Sequence, residues 1–278
     1  MKILWVTSFR EFKGKNNDQI QLKFLKQIGN NNNVTLCVTQ FGEKNVKRNI
    51  QNNVKSFFYF NHKLKKYKYC QNTIFNNGLR VCLKKNFSKI VWSTADFTLS
   101  KNYQMHLDLI KKNTIATIFP NIHIYKNKTI DLTYPHFGLD FFLFSLDKNK
   151  IKKLIRYNKS CPNYEWGCFE HFLFCLNNLL KIKIINLRGK INLFKYDNEE
   201  NLTNYSMASS LNTWKKNNDY LKKFLKIYKL NRLYATGSFY FIAFKLFFNS
   251  KISLSILIIY LRLILKFIKH LFFVKLFN

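Results

Sequence analysis

Acidic side chains are scarce in this chain. It carries 14 Asp+Glu against 47 Lys+Arg, a formal charge of +33. So few carboxylates leave a short roster for acid–base or metal chemistry. Proline (3) and glycine (8) are also rare over 278 residues, which excludes collagen-like, proline-rich and Gly/Ser-linker architectures. No Cys-x-x-Cys occurs. Cys161, Cys168 and Cys175 recur every seven residues, and core packing is a better account of that spacing than metal binding. No stretch of about 18 apolar residues is free of charge, which argues against a simple spanning helix. The opening residues Met1 to Arg10 hold too short an apolar run for a signal peptide and no small-residue cleavage site. A reducing, cytoplasmic setting with free thiols is expected.

What is abundant is apolar. Hydrophobic residues make up 47% of the chain, with 29 Phe and 15 Tyr, so it can build a core and wholesale disorder is excluded. The length suits one domain or one and a half. Lys, Asn, Ile, Phe and Tyr are enriched together, as A/T-rich codons would enrich them, so mutational bias competes with function as the source of the charge. Either way the surface attracts anions: nucleotide phosphates, anionic lipid or nucleic acid.

The first 45 residues read as strand, helix, strand. Ile3 to Ser8 is apolar and ends in hydroxyls. Asp18 to Ile28 places Ile20, Phe24 and Ile28 at four-residue steps, and Gly29 with the following Asn run is expected to stop that helix through left-handed backbone. Val34 to Thr39 is again strand-like. This is the βαβ pattern of a parallel sheet under helices. Further strands are expected at Phe57–Phe60, Lys89–Trp92, Thr114–Phe119 and Lys183–Asn186. Helices are expected at Leu79–Lys85, with a break before or within it at Asn77-Gly78, at Tyr103–Lys112, at Tyr164–Leu180 and over 211–229. Residues 121–145 read as loops and short strands. From Phe239 onward acids almost vanish. Between Ile252 and Phe277, Ser255, Arg262, Lys266 and Lys269 fall on one narrow helical stripe amid Leu, Ile and Phe. Such a helix suits the plane of an anionic membrane; docking on the domain is the competing reading.

Three constellations could carry chemistry. Asp96 follows an apolar strand, with Ser93 and Thr94 before it and Phe97 after it. Ligands of open α/β sheets bind beyond the carboxyl ends of strands, and a carboxylate there can hold a ribose hydroxyl or a cation bridging a diphosphate. A capping or solvated Asp is the alternative. Thr7, Ser8 and Arg10 end the first strand in a way that suits a nucleotide. His136, Gly138 and Asp140 sit in an aromatic loop running to Phe144, the composition of a carbohydrate face or of a core cover. Glu165, Trp166, Gly167 and Glu170 enter the strongest amphipathic helix, where Glu165 is a base or a dipole-favoured cap.

The order strand, helix, strand, then Asn76-Asn77-Gly78-Leu79-Arg80, then Lys89-Ile90-Val91-Trp92-Ser93-Thr94-Ala95-Asp96-Phe97 resembles glycosyltransferases of the GT-A fold, in the broad family 2 manner. The Gly138-x-Asp140-x-Phe142-x-Phe144 segment and Trp214-Lys215-Lys216-Asn217 also look like parts of such transferases. The resemblance covers about residues 1–230. It implies an α/β, GT-A/Rossmann-like, mostly parallel sheet flanked by helices; residues 231–278, beyond it, read from their own spacing as a basic amphipathic helical extension. The resemblance implies transfer of a sugar from a nucleotide-sugar donor to a glycan or lipid-linked acceptor in surface polysaccharide synthesis, and the extension adds the expectation of a protein peripheral on the inner face of the membrane.

The donor would lie on Thr7, Ser8, Arg10, Asn77, Arg80 and Asp96. The acceptor would lie on His136, Gly138, Asp140 and Trp166, with Glu165 or Glu170 as base. The family's acidic motif has two Asp; here residue 94 is Thr. The family's later His-rich segment corresponds to Leu193–Asn198, which has no His. Asp96 with a distant acid could hold Mg²⁺ or Mn²⁺, or Lys and Arg could neutralise the diphosphate instead. The competing function is a non-catalytic basic binder of nucleic acid or membrane. Against nucleic acid, lysines are spread along the whole chain and no nucleic-acid-binding signature appears.

Overall fold

The structure is a computed structural model. It describes residues 2–14, 16–62, 70–118, 122–125, 128–131, 141–160, 179–187, 189–197, 219, 222–229 and the four residues 261, 264, 265 and 268. The expected division near residue 230 lies outside them, as do Tyr164–Leu180 up to residue 178 and most of the C-terminal extension.

Strand β1 (Ile3–Thr7) is buried throughout. Ile3 and Trp5 enter one apolar cluster while Leu4 and Val6 enter another, so β1 is covered on both faces and must be central. It pairs in parallel with β2 (Val34–Gln40) on one edge and with β4 (Lys89–Ser93) on the other. Beyond β2 lies β3 (Phe57–Asn61), also parallel. The seven-stranded sheet has the order β10-β6-β9-β4-β1-β2-β3, with β6 at Thr114–Thr117, β9 at Phe141–Ser145 and β10 at Lys183–Asn186. β10 and β6 run in parallel, and β9 alone runs antiparallel to its neighbours β4 and β6. The fold is therefore α/β with a mostly parallel sheet, as expected.

Helices cover both faces. Phe24, Leu25 and Ile28 of α1 (Asn16–Gly29) and Val46 and Ile50 of α2 (Val46–Asn53) pack with Ile3 and Trp5. Ile74, Phe75 and Leu79 of α3 (Gln71–Lys85) and Ile151 and Leu154 of α5 (Lys148–Lys159) pack with Leu4 and Val6. Between β4 and β6 come β5 (Phe97–Leu99) and the short α4 (Tyr103–Asp108). A second sheet has the order β5-β11-β7-β8, with β7 at Ile122–Tyr125, β8 at Lys128–Asp131 and β11 at Leu193–Asp197.

Several local expectations are corrected. Asn77-Gly78 does not break a helix, because α3 runs straight through it. Gly78 is there for closeness: a Cβ would stand 2.3 Å from Val6 Cγ2. Gly29 likewise does not need left-handed backbone. It belongs to α1, and a Cβ there would stand 1.8 Å from the carbonyl oxygen of Asn53. The 103–112 helix stops at Asp108, and Asn113 takes the left-handed turn into β6. Phe141 to Phe144 do not form part of a ligand-facing aromatic loop. They are buried in β9, with Phe142 and Phe144 in one cluster and Phe141 and Leu143 in the other. A run without alternation is what a strand covered on both faces looks like.

Candidate functional site at the carboxyl edge

The strand order reverses beside β1. From β1 the chain steps outward to β2 and β3, then returns across the other face through α3 to pair β4 on the opposite edge of β1. Neighbouring crossovers leave such a point in opposite directions, and open α/β sheets bind ligands beyond the carboxyl ends there. Thr7 and Ser93 are the last residues of the two strands at this point.

Thr7 is fully buried, and its Oγ1 donates to the carbonyl of Ser93 at 2.8 Å. The Trp5 indole Nε1 donates to Ser93 Oγ at 2.8 Å, and that hydroxyl donates on to the carbonyl of Thr94 at 2.7 Å. The ends of β1 and β4 are thereby tied, and the turn 94–96 is set from beneath. Thr7 acts here as a positioning residue, since its proton is committed to the backbone.

The segment after β1 is held by two side-chain amides. Gln40, wholly buried at the end of β2, accepts from the Phe9 N–H at 3.2 Å and donates to the Phe9 carbonyl at 2.9 Å. Gln21 of α1 accepts from the Arg10 N–H at 2.8 Å and donates to the Arg10 carbonyl at 3.3 Å. Phe9 and Phe12 are buried while Ser8 is half-buried and Arg10 exposed. The aromatic rings anchor the segment, and its polar groups stay at the surface.

Asn77 projects from α3 to the end of β2. Its Nδ2 donates to Thr39 Oγ1 at 3.1 Å and lies 3.1 Å from His62 Nε2. The His62 ring stacks on Phe41, centroids 5.9 Å apart. Arg80 stands one turn further along α3, which runs from this edge back toward the amino end of β4, and its side chain is exposed. Arg80 is thus carried away from the strand ends that Asn77 reaches.

Asp96 lies in the turn from β4 to β5. Its Oδ1 accepts from the Thr94 hydroxyl, and its Oδ2 lies 3.8 Å from Lys195 Nζ. Lys195 is buried on β11, opposite Phe97 in the antiparallel β5–β11 pairing. Among the described residues there is no group of three or more His, Cys, Asp or Glu that could hold a metal ion. Asp96 alone, already engaged by a hydroxyl and an ammonium group, offers a hard divalent cation fewer oxygen ligands than such an ion takes.

The structure thus joins Thr7 through Ser93 to the turn that carries Asp96, and joins Asn77 to the neighbouring strand end. Glu165, Glu170, His136, Gly138, Asp140 and Trp166 lie outside the described residues. Sequence reasoning missed Gln40, Gln21, Ser93, His62 and Lys195. Gln40 left a signal, a polar residue closing an apolar strand just as Thr7 does. Lys195 left none, because only strand pairing brings it to Asp96.

No protein-family model matches the sequence, and no curated protein matches it. Solved structures give distant matches. One is a cytidylyltransferase from Leptospira borgpetersenii serovar Hardjo-bovis, 15% identical over 66% of this chain and 74% of that one, with a TM-score of 0.41. Another, named as a candidate nucleotide-diphospho-sugar transferase from Desulfovibrio desulfuricans, is 9% identical over 81% and 99%, with a TM-score of 0.39. A third is a mannose-1-phosphate geranyltransferase from Thermus thermophilus, 10% identical over 70% and 74%, with a TM-score of 0.34. The α/β reading rests on the strand order itself.

Proposed function

We propose that this chain is a nucleotide-sugar-dependent transferase, passing a sugar to a glycan or lipid-linked acceptor in surface polysaccharide synthesis at the inner face of a membrane. The observation that carries the reading is the reversal of strand order between β1 and β4, with Ser8, Arg10 and Asp96 gathered beyond those two strand ends. The segment 8–12 is pinned by Gln21 and Gln40, so the groups it offers a nucleotide are preorganised. In the reaction the acceptor hydroxyl oxygen attacks the anomeric carbon. The bond from that carbon to the diphosphate oxygen breaks, and the nucleoside diphosphate leaves with its electron pair. Glu165, with Glu170 second, takes the acceptor proton. Basic side chains at the carboxyl edge stabilise the leaving diphosphate.

The membrane half of the reading draws on the extension. Leu261, Ile264, Leu265 and Ile268 are helical and each is more than 40% exposed. Their spacing of three, four and seven makes one apolar stripe, beside the cations Arg262, Lys266 and Lys269 of the sequence. No helix among the described residues is long and apolar enough to cross a membrane, and an apolar stripe flanked by cations suits an anionic lipid surface.

The test is thermal unfolding of the full chain against nucleotides and nucleotide-sugars, with and without Mn²⁺. Stabilisation by one nucleoside diphosphate series, and release of that diphosphate when its sugar conjugate meets an acceptor, is the expected result. Stabilisation by oligonucleotides alone would favour a basic binding protein instead.

A further inference from the structure

We infer that this chain holds the diphosphate of its ligand with a protein ammonium group in place of a divalent cation, and that the group is Lys195. The inference deepens the nucleotide reading above and rests on it.

A metal at Asp96 would have to meet three conditions, and the surroundings oppose each. It would compete for a carboxylate already engaged, since Oδ1 accepts from the Thr94 hydroxyl and Oδ2 faces the Lys195 ammonium at 3.8 Å. It would need further anionic ligands, yet no cluster of three metal-ligating side chains occurs among the described residues. It would need a site without a competing cation. Lys195 already brings a positive charge to the carboxylate, at the position beyond β4 where a diphosphate would look for one.

The placement of Lys195 is built, not incidental. Antiparallel pairing of β11 with β5 sets Lys195 opposite Phe97, the residue after Asp96. The side chain is only 11% exposed while that of Asp96 is 27% exposed. The side chain is thus largely taken up by the protein, beside a carboxylate that is partly open at the carboxyl edge. A phosphate arriving at that edge would add a shorter, charge-assisted contact to a compact point charge that needs no particular fork geometry. The surplus of basic residues over the chain draws such an anion in but does not choose where it sits. The turn 94–96 with Lys195 does.

The experiment is calorimetric titration of the full chain with UDP, GDP, CDP and ADP, each in EDTA and in Mn²⁺, on wild type, Lys195→Met and Lys195→Arg, with thermal unfolding of every variant. We expect the preferred diphosphate to bind wild type equally in EDTA and in Mn²⁺. Lys195→Met should lose about tenfold or more in affinity, as removal of a charge-assisted bond implies, and Lys195→Arg should regain most of it. If Lys195→Met does not fold, Lys195→Gln serves in its place, and the wild-type EDTA arm still decides the metal question. Binding that collapses in EDTA overturns the inference and leaves the nucleotide reading standing. So does unchanged affinity in folded Lys195→Met, which removes Lys195 as the group. Absence of binding by all four diphosphates in both conditions overturns the nucleotide reading and this inference with it.

Discussion

Gly78 shows how a single missing atom sets the spacing between a helix and the sheet beneath it. Alanine in a helix is normally favoured over glycine by about 1 kcal/mol. Here the new Cβ would stand 2.3 and 2.9 Å from the two methyl carbons of Val6. Val6 is wholly buried in a central strand, and its branched side chain has little room to turn away. Overpacking of this kind costs about 1–3 kcal/mol, so the clash outweighs the propensity. Gly78→Ala should lower stability in urea unfolding, and Val6→Ala in the same chain should recover part of the loss.

The same position explains a misreading. In the sequence, Asn-Asn-Gly looks like helix punctuation, because nothing in it says that β1 passes directly underneath. The strand-end positions of Thr7 and Asp96 were legible because such an end is written locally, as an apolar run that closes in polar residues. Their partners were not. Ser93 is recognisable as part of the site only once β1 and β4 are neighbours, and Lys195 only once β11 pairs with β5.

At the scale of elements, β1, β2, β4 and α1 could be read because each keeps one clear period or one compact apolar run. α5 was missed although its start is well signalled. Asp147 caps it, accepting from the Lys150 N–H at 2.8 Å. Asp147→Ala should cost about 1 kcal/mol, and Asp147→Asn much less, since asparagine caps nearly as well. The backbone hydrogen bond from Lys150, more than the nearby cations, holds the Asp147 carboxyl below its ordinary value of 3.8. A depressed folded pKa means that the charged cap contributes fully above the ordinary value and is lost as pH falls through the lower, folded one. The wild-type advantage over Asp147→Asn should therefore shrink in acid unfolding below about pH 4.

The C-terminal extension is the other element with a consequence of its own. Deletion of 252–278 should release the protein from anionic vesicles and leave the α/β domain folded by circular dichroism. High salt should weaken vesicle binding without abolishing it, because the apolar stripe remains. Retention of the truncated protein on vesicles, or collapse of the domain, would make the segment a core helix.

Over the whole molecule, the architecture follows from two-sided burial. β1, β4 and β9 each feed both apolar clusters, so among the described residues both faces of the central strands are covered and a ligand would meet them at their ends. That is why the fold class could be read from alternating elements while the site could be read only in outline. The proposed donor side sits on local strand-end motifs, whereas the proposed acceptor residues and base belong to segments outside the described residues. The central claim is that the reversal between β1 and β4 is where a nucleoside diphosphate binds. Hydrogen exchange of the full chain, with and without a saturating concentration of the diphosphate that most raises its unfolding temperature, tests it most directly. Added protection should concentrate in residues 7–12, 39–42 and 93–97, where the Phe9 and Arg10 amides are already pinned by Gln40 and Gln21. Saturated protein with unchanged exchange in all three segments, or with protection confined to α5 and the outer strands, would contradict the claim.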